Sequence, residues 1–422
     1  MKTLREIQDS LYARAKAEKD AKFNTLMDKI CRIDILREAW KLVSQNKGSP
    51  GIDGESIDDI KGREDDFLKE LQKELIEKTY RVECVRRVFI PKSNGRMRPL
   101  GIPTVKDRVV QQAVKLVIEP IFEADFHESS YAYRPNKSAK EASMEIRKYM
   151  NYGCEQVVDL DIKGFFDNIN HEIMINLVKK RIRDGYVLHL IREWLRAGVV
   201  YEGETSYPTL GTPQGGVISP LLANIYLNEI DKFWETDGKY MAQEYDAHLI
   251  RWADDMVILT RTNAETIMAI MKKLLQKLKL SLNEEKSRIT TVKEGFDFIG
   301  FHFLRRYITR KGKKVTMYYP SRKSVKNFKE KAKTILNRRR LFTDEGEAVR
   351  RINLLITGWT NYFNHTNAGR IYNSLQRFID WLFYKFMAYK HKKRYLSISN
   401  NAYERVYRHK LKPLSGIIKY QL

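Results

Sequence analysis

The sequence predicts a mixed α+β fold with an antiparallel β-hairpin beyond its midpoint and a basic, helical last third. Three observations carry that expectation. Amphipathic runs of helical period alternate with short apolar runs, two such apolar runs flank Ala253-Asp254-Asp255, and the composition turns basic after Phe303. Residues 4–46 carry helical periodicity, and Gly48-Ser49-Pro50-Gly51 then forces a turn. Residues 66–79 read as a helix and 85–90 as a strand, ended by Pro91 and the turn residues Ser93-Asn94-Gly95. A helix over 104–124 starts at Thr104, a hydroxyl cap with Asp107 three residues on. Residues 157–161 form a short strand, followed by helices over 172–183 and 187–197. The helix over 219–236 opens at Ser219-Pro220, where proline suits the first turn. His248–Trp252 and Met256–Thr260 make the hairpin, with two carboxylates at its turn, and 263–280 is an amphipathic helix. A domain boundary is expected near 305–320.

The 422 residues suffice for two or three packed domains. No apolar run approaches the roughly 18–20 residues that span a bilayer, and the start alternates charged with apolar residues, unlike a secretory signal. A soluble cytoplasmic chain without a membrane partner is expected. Cys31, Cys84 and Cys154 form no C-x-x-C pair, so they read as buried or half-buried thiols rather than as a zinc module or disulfide framework.

The net charge is +24, and its distribution is informative. Residues 305–422 hold 29 Lys and Arg against 6 Asp and Glu, so nearly all the excess lies there. Interleaved aromatics (Tyr318, Tyr319, Trp359, Tyr362, Phe363, Trp381) favour a nucleic acid over an anionic membrane, because bases stack on rings.

Asp254 and Asp255 are adjacent between strand-like flanks, and Asp161 ends another apolar strand 93 residues earlier than Asp254. Carboxylates from separate strands that converge make a hard-oxygen site suited to Mg²⁺ and substrate phosphates. By themselves, turn aspartates beside an unrelated Asp would explain the same letters.

The surrounding strings decide between these readings. Arg251-Trp252-Ala253-Asp254-Asp255 resembles the aromatic-x-Asp-Asp signature of reverse transcriptases, and residues 158–167 (VDLDIKGFFD) resemble the earlier metal-binding block. Residues 211–224 (GTPQGGVISPLLAN) resemble the strongest identifier of the group II intron family, as do 87–92 (RVFIPK) leading to 96–104 (RMRPLGIPT). Phe298-Ile299-Gly300-Phe301 resembles a block following the palm, and residues 358–363 (GWTNYF) resemble the maturase, or X, domain. Six such blocks in family order, over roughly residues 45–365, identify the chain as a member of the group II intron reverse transcriptase and maturase family.

The resemblance implies a right-hand polymerase: α+β fingers and palm around an antiparallel sheet, then a helical basic thumb. The implied divisions are 1–150, N-terminal extension and fingers; 151–304, palm with part of the fingers; 305–385, thumb and X domain; and 386–422, a short basic segment. Asp161 and Asp254 would ligate two Mg²⁺ ions, with Asp255 assisting and the Ile162 carbonyl as a further ligand. Lys92 and Arg98 would hold the incoming triphosphate, with Arg86 joining them; arginine suits bidentate phosphate contact and lysine a point charge. Phe166 would lie beneath the sugar and exclude a 2′-hydroxyl, whereas Phe165 reads as core. Gln214 would contact the nucleotide or template, and Gly215, lacking Cβ, would let backbone approach the nascent base pair. Tyr133 and Arg134 read as structural or template-facing, and Lys286 equally as a surface lysine or a base beside the carboxylates. Lys323, Lys326, Lys329 and Lys333, at i, i+3 and i+4 spacings, would grip RNA phosphates along one helix.

Two departures from the family stand out: Trp252 replaces the usual Tyr, and Ala132-Tyr133 replaces Gly-Phe. After residue 363 no Cys/His cluster occurs, so the zinc-type endonuclease of some relatives is not expected. The implied partners are the intron RNA, a primed RNA template, deoxynucleoside triphosphates and target DNA, in a nucleoid-associated bacterial ribonucleoprotein. A splicing cofactor with secondary polymerase activity, or a host-adopted enzyme of antiviral defence, are the alternatives. The intact acidic and basic set opposes the first and the GWTNYF block the second.

Overall fold

The computed structural model describes residues 2–91, 95, 97–212, 215–236, 245–309, 312–392 and 410–414. The chain begins with helices α1 (Leu4–Ala17), α2 (Met27–Ile30), α3 (Ile33–Gln45), α4 (Ile57–Ile60) and α5 (Glu64–Glu77). Strands β1 (Val85–Pro91) and β2 (Met97–Ile102) follow, then α6 (Val105–Glu123), α7 (Ala139–Asn151) and β3 (Gln156–Asp161). Next come α8 (Phe165–Asn168), α9 (His171–Lys179), α10 (Gly185–Arg196), β4 (Val199–Tyr201), β5 (Glu204–Ser206) and α11 (Ser219–Thr236). The strands β6 (His248–Trp252) and β7 (Asp255–Thr260) precede α12 (Ala264–Lys277), β8 (Arg288–Thr291), β9 (Phe296–Phe298), β10 (Phe301–Ile308) and β11 (Lys313–Pro320). Three helices close the described fold: α13 (Arg322–Ile335), α14 (Glu345–Phe363) and α15 (Gly369–Lys390). None of the described helices is long and apolar enough to cross a membrane.

The chain forms two compact units, one of residues 1–137, 159–256 and 265–288, the other of residues 138–158, 257–264 and 289–422. The first is built around α6. Its valines and isoleucines at 109, 110, 114, 117, 118 and 121 are all buried, and no residue of the helix is exposed, so it is enclosed by its neighbours. Thr104 caps it by accepting from the Asp107 N–H (3.1 Å), as the spacing predicts. A four-stranded sheet of order β2-β1-β4-β5 lies in this unit, with β1 and β2 antiparallel in the register Arg86↔Ile102 to Pro91↔Met97. A second sheet has the order β6-β7-β3-β8.

The second unit contains the antiparallel sheet β11-β10-β9 and the helices α13 to α15. Here the sequence misleads: the stretch after Phe303 reads as helical by its basic composition, yet 301–320 is a β-hairpin. Its inward positions, Phe301, Phe303, Thr316 and Tyr318, are buried, and its lysines lie at the exposed end. Composition reports the outward residues, whereas the period-two burial sets the structure. Residues 4–46, helical by their periodicity, form three helices, interrupted at 18–26 and again before Ile33.

Two of the family blocks meet inside this unit. Tyr362 of α14 donates to the Ile299 carbonyl (2.8 Å), and its ring stacks on Phe301 at 5.2 Å. Trp359 packs against Phe328, Phe363 and Tyr372 with centroids 4.7–5.2 Å apart. The Phe-Ile-Gly-Phe turn and the Gly-Trp-Thr-Asn-Tyr-Phe helix are therefore two halves of one aromatic core, in which each ring adds area burial and edge or stacking contacts.

In the first unit a titratable group is buried at the start of α6. Asp107 is 1% exposed and accepts hydrogen bonds from the Tyr80 hydroxyl and the Glu83 N–H. Burial pushes its carboxyl up to about 6 against the hydrogen bonds that favour the charged form. The folded chain thus holds a proton that the unfolded chain releases near pH 4, and stability from this group is lost as pH rises through about 6. Asp107→Asn removes that titration. Its melting temperature relative to the parent is expected to climb between pH 4 and pH 6, by an amount equivalent to about 3 kcal/mol. A pH-independent difference between the two melting curves would show that Asp107 does not titrate there.

Candidate active site

The side chains of interest converge at one end of the second sheet. Asp161 is the last residue of β3, Asp255 the first of β7, and these strands are neighbours. Asp254 sits in the two-residue turn between β6 and β7, where Ala253 takes a left-handed conformation (φ +56°). Side chains with a branched or bulky Cβ resist that region, so a small residue suits the bend. The hairpin with carboxylates at its turn is the arrangement the sequence predicts.

The cluster is electrostatically loaded. Burial raises the Asp254 carboxyl above its ordinary range, Asp161 adds to this, and its own backbone N–H, Arg98 and Lys286 draw it back. Asp255 keeps an edge open to solvent, yet the surrounding protein and then the charges of Asp254, Asp161 and Asp159 push it up to about 6. Lys286 Nζ donates to both Asp161 oxygens at 2.9 Å, and Asn283 Nδ2 donates to Oδ2 at 2.9 Å. The Asp161 N–H donates to Ser287 Oγ (3.1 Å), and the Asn283 N–H to the Asp161 carbonyl (2.8 Å). Sequence reasoning leaves Lys286 open between two roles and overlooks Asn283 and Ser287. Their signal lies in the Asn-x-x-Lys-Ser spacing, which brings all three to Asp161.

Beneath the turn lies Arg251, a residue the sequence offers only as part of the signature. Its side chain and that of Asp231 are both 0% exposed. Nε and Nη2 bond Asp231 (2.6–3.1 Å), Nη1 donates to Asn224 Oδ1 (3.0 Å) and to the Ala253 carbonyl (3.2 Å), and Nη2 donates to Ser130 Oγ (2.7 Å). The Arg251 backbone is also pinned, its N–H donating to Ser129 and its carbonyl accepting from Tyr131 (2.8 and 3.0 Å). A buried guanidinium thus ties α11, the 129–131 segment and the left-handed Ala253 into one network, and so fixes the backbone that presents Asp254.

The remaining predicted residues are distributed as follows. Lys92 and Gln214 lie outside the described residues. Arg98, on β2 opposite Ile90, is near enough to lower the proton affinity of Asp254. Arg86 instead donates through Nε and Nη2 to the Pro50 carbonyl (3.2 and 2.7 Å). Ile162 is buried and bridges Leu282. Phe165 is buried against Tyr226, while Phe166 is half-buried. Gly215 (φ +128°) is pressed on β2: a Cβ there would lie 2.5 Å from the Gly101 carbonyl, so the fold itself requires glycine. Arg134 is turned inward to Glu123 and the carbonyls of His127 and Ser130. Tyr133 (φ +57°) is half-exposed, and burial and then Asp254 raise its hydroxyl, which marks it as a neighbour of the carboxylates. On α13, Lys323 and Lys326 are exposed, Lys329 lies over the Phe378 ring (5.3 Å), and Lys333 pairs with Glu330 (3.0 Å).

Carboxylates on adjoining strand ends, with basic groups around them, are the equipment of a nucleotidyl-transferring polymerase of the reverse transcriptase class. The chain matches the reverse transcriptase (RNA-dependent DNA polymerase) family over residues 90–303 and the group II intron maturase-specific domain over residues 325–403. It is similar to protein YkfC of Escherichia coli (strain K12), 33% identical over 71% of this chain and 88% of that one. It is also 30% identical to the group II intron-encoded protein LtrA of Lactococcus lactis subsp. cremoris, over 71% of this chain but 60% of LtrA. A putative COX1/OXI3 intron 2 protein of Saccharomyces cerevisiae is 27% identical over 64% of this chain and 38% of its own length. The chain belongs to the group II intron-encoded reverse transcriptase and maturase family. That family membership implies a divalent cation. The donor set fits one: hard carboxylate oxygens whose burial and then crowding raise the proton affinity of Asp254 and Asp255 are a site that gains from a cation.

Removing one partner of a buried ion pair leaves the other uncompensated. Arg251→Met is therefore expected to cost about 3–5 kcal/mol of stability. The double variant Arg251→Met/Asp231→Leu should recover most of that stability, as followed by thermal unfolding. Its primer extension should remain impaired, because nothing then holds the Ala253 carbonyl. Full recovery of both properties would show that the pair serves folding alone.

Proposed function

We propose that the chain copies intron RNA into DNA by template-directed attack of a primer 3′-hydroxyl on a deoxynucleoside triphosphate, releasing pyrophosphate, and that it assists splicing of the same intron. The observation that carries this reading is the meeting of Asp161 with Asp254 and Asp255 at adjoining strand ends, with Arg98 and Lys286 acting on their charge. Asp161 and Asp254 would hold two Mg²⁺ ions, with Asp255 and the Ile162 carbonyl completing the set. Mg²⁺, when bound, neutralises charge on the attacking and leaving oxygens.

The chain's own residues do the rest. Lys286 offsets the charge of Asp161 through its two hydrogen bonds to that carboxylate. Asn283 and Ser287 orient Asp161 through its side chain and backbone. Arg98 and Lys92 would clamp the triphosphate, and Gln214 and Gly215 would lie along the nascent pair. Arg86, held by Pro50, contributes to this clamp only if it exchanges that carbonyl for a phosphate oxygen. Phe166 would exclude a 2′-hydroxyl. The maturase-specific match over residues 325–403 and the basic last third support binding of the intron RNA.

Asp254→Ala and Asp161→Ala are expected to abolish primer extension on an RNA template while leaving RNA affinity nearly intact, since affinity comes mainly from basic side chains. Extension near the parent rate in either variant would remove the proposed metal site. Phe166→Ala is expected to raise ribonucleotide incorporation relative to deoxyribonucleotide in single-nucleotide assays. An unchanged ratio in an active variant would make Phe166 a packing residue.

A further inference from the structure

The second unit carries a surface that the polymerase chemistry does not use. Along one side of α15, rings and cations contact one another in an unbroken series. Lys329 of α13 lies over Phe378 (5.3 Å), and Phe378 adjoins Trp381 (6.4 Å between centroids). Lys385 lies over both Trp381 (4.9 Å) and Tyr389 (5.9 Å), and Arg338 lies over Tyr389 (5.0 Å). The i, i+4 spacing of Trp381, Lys385 and Tyr389 sets them one above another on the helix. Lys390 Nζ donates to the carbonyls of Leu341 and Thr343 (2.9 and 2.7 Å), which ties the Arg338 turn to the end of α15.

These rings are not core residues. Trp381 is 51% and Tyr389 42% exposed. The neighbouring acid is Asp380, which accepts from Gln376 Nε2 (2.8 Å). A cation over one face of an exposed ring is held there by the ring quadrupole and sets positive charge beside the ring. Such an alternation answers a ligand that is itself an alternation of flat π-faces and anionic linkers.

We propose that this cation–aromatic ladder is a binding site for an unpaired stretch of RNA, with bases stacking on Trp381 and Tyr389 and the intervening phosphates meeting Lys385, Arg338 and Lys329. The site rests on the reading of this chain as an RNA-binding polymerase, and it specifies the form of RNA held there. Residues 378–389 span about 16 Å of helix, enough for about three to five nucleotides. Duplex RNA cannot use the ladder, because paired bases already stack on one another and hide their faces. Charge complementarity favours the same occupant, since residues 305–422 carry nearly the whole net charge of the protein.

The test is fluorescence anisotropy with the full chain, using a labelled oligoadenylate of about twelve nucleotides, alone and annealed to its complement. Trp381→Ala is expected to weaken binding of the single strand about 5- to 100-fold while leaving the salt slope unchanged. Trp381→Phe should restore most of the affinity. Lys385→Gln should lower the salt slope by about 0.7. Duplex affinity should not follow the ring substitutions, and thermal unfolding of Trp381→Ala should match the parent. Parent-like single-strand binding by Trp381→Ala, equal losses for single strand and duplex, or no binding of oligoadenylate by the parent would each overturn the ladder. Primer extension by the parent on an RNA template is measured in parallel. If it succeeds while the ladder fails, the polymerase assignment stands alone; if extension itself fails, that assignment falls independently of the ladder.

Discussion

Carboxylates gathered at the end of one sheet repel one another, and much of the first unit is arranged to tolerate that repulsion. Asp161, Asp254 and Asp255 cannot relax apart, because two of them are covalent neighbours on a tight turn and the third ends the adjacent strand. Burial, and then the charge of the neighbouring carboxylates, raises the proton affinity of Asp254 and Asp255, and Lys286 and Asn283 are drawn to Asp161. Surplus negative charge held in one place is costly and correspondingly favours a divalent cation.

Holding such a site requires a backbone that does not yield. Arg251 and Asp231 supply it from below: the pair is wholly buried, and its net contribution to stability is offset by the desolvation of two charges. What it secures is geometry, since one guanidinium reaches Asp231, Asn224, Ser130 and the carbonyl of Ala253 together. A planar fork with five donors can do this, whereas a lysine ammonium cannot reach so many directions in one plane.

The second unit solves a different problem. It is strongly basic, so its core must be built from groups that carry no charge, and aromatic rings serve. Phe301, Tyr318 and Phe363 form the interior beside the Ile299-Gly300 turn, with Trp359 half-buried and Tyr362 packed on its exposed edge. The rings left outside, on α15, are those that alternate with cations. One residue class thus serves folding on one side of a helix and presents a stacking surface on the other.

Much was legible in the sequence because it is local. The Thr104 cap, the helix over 219–236 and the hairpin bearing Asp254 and Asp255 follow from spacing and composition within a few residues. The motif strings likewise identified the family, since each is a contiguous run. The β-hairpin over 301–320 was not legible, because its exposed basic residues mask a period-two burial that only its partners define. The same holds for Gly215, whose missing side chain answers to Gly101 more than a hundred residues earlier, and for Arg86, which is drawn to Pro50. The sequence by itself determined the family and the hairpin that carries Asp254 and Asp255. Tertiary structure alone decided which lysine neutralises Asp161, which buried arginine steadies the turn and which rings face solvent, because each depends on distances between residues that the chain order leaves far apart.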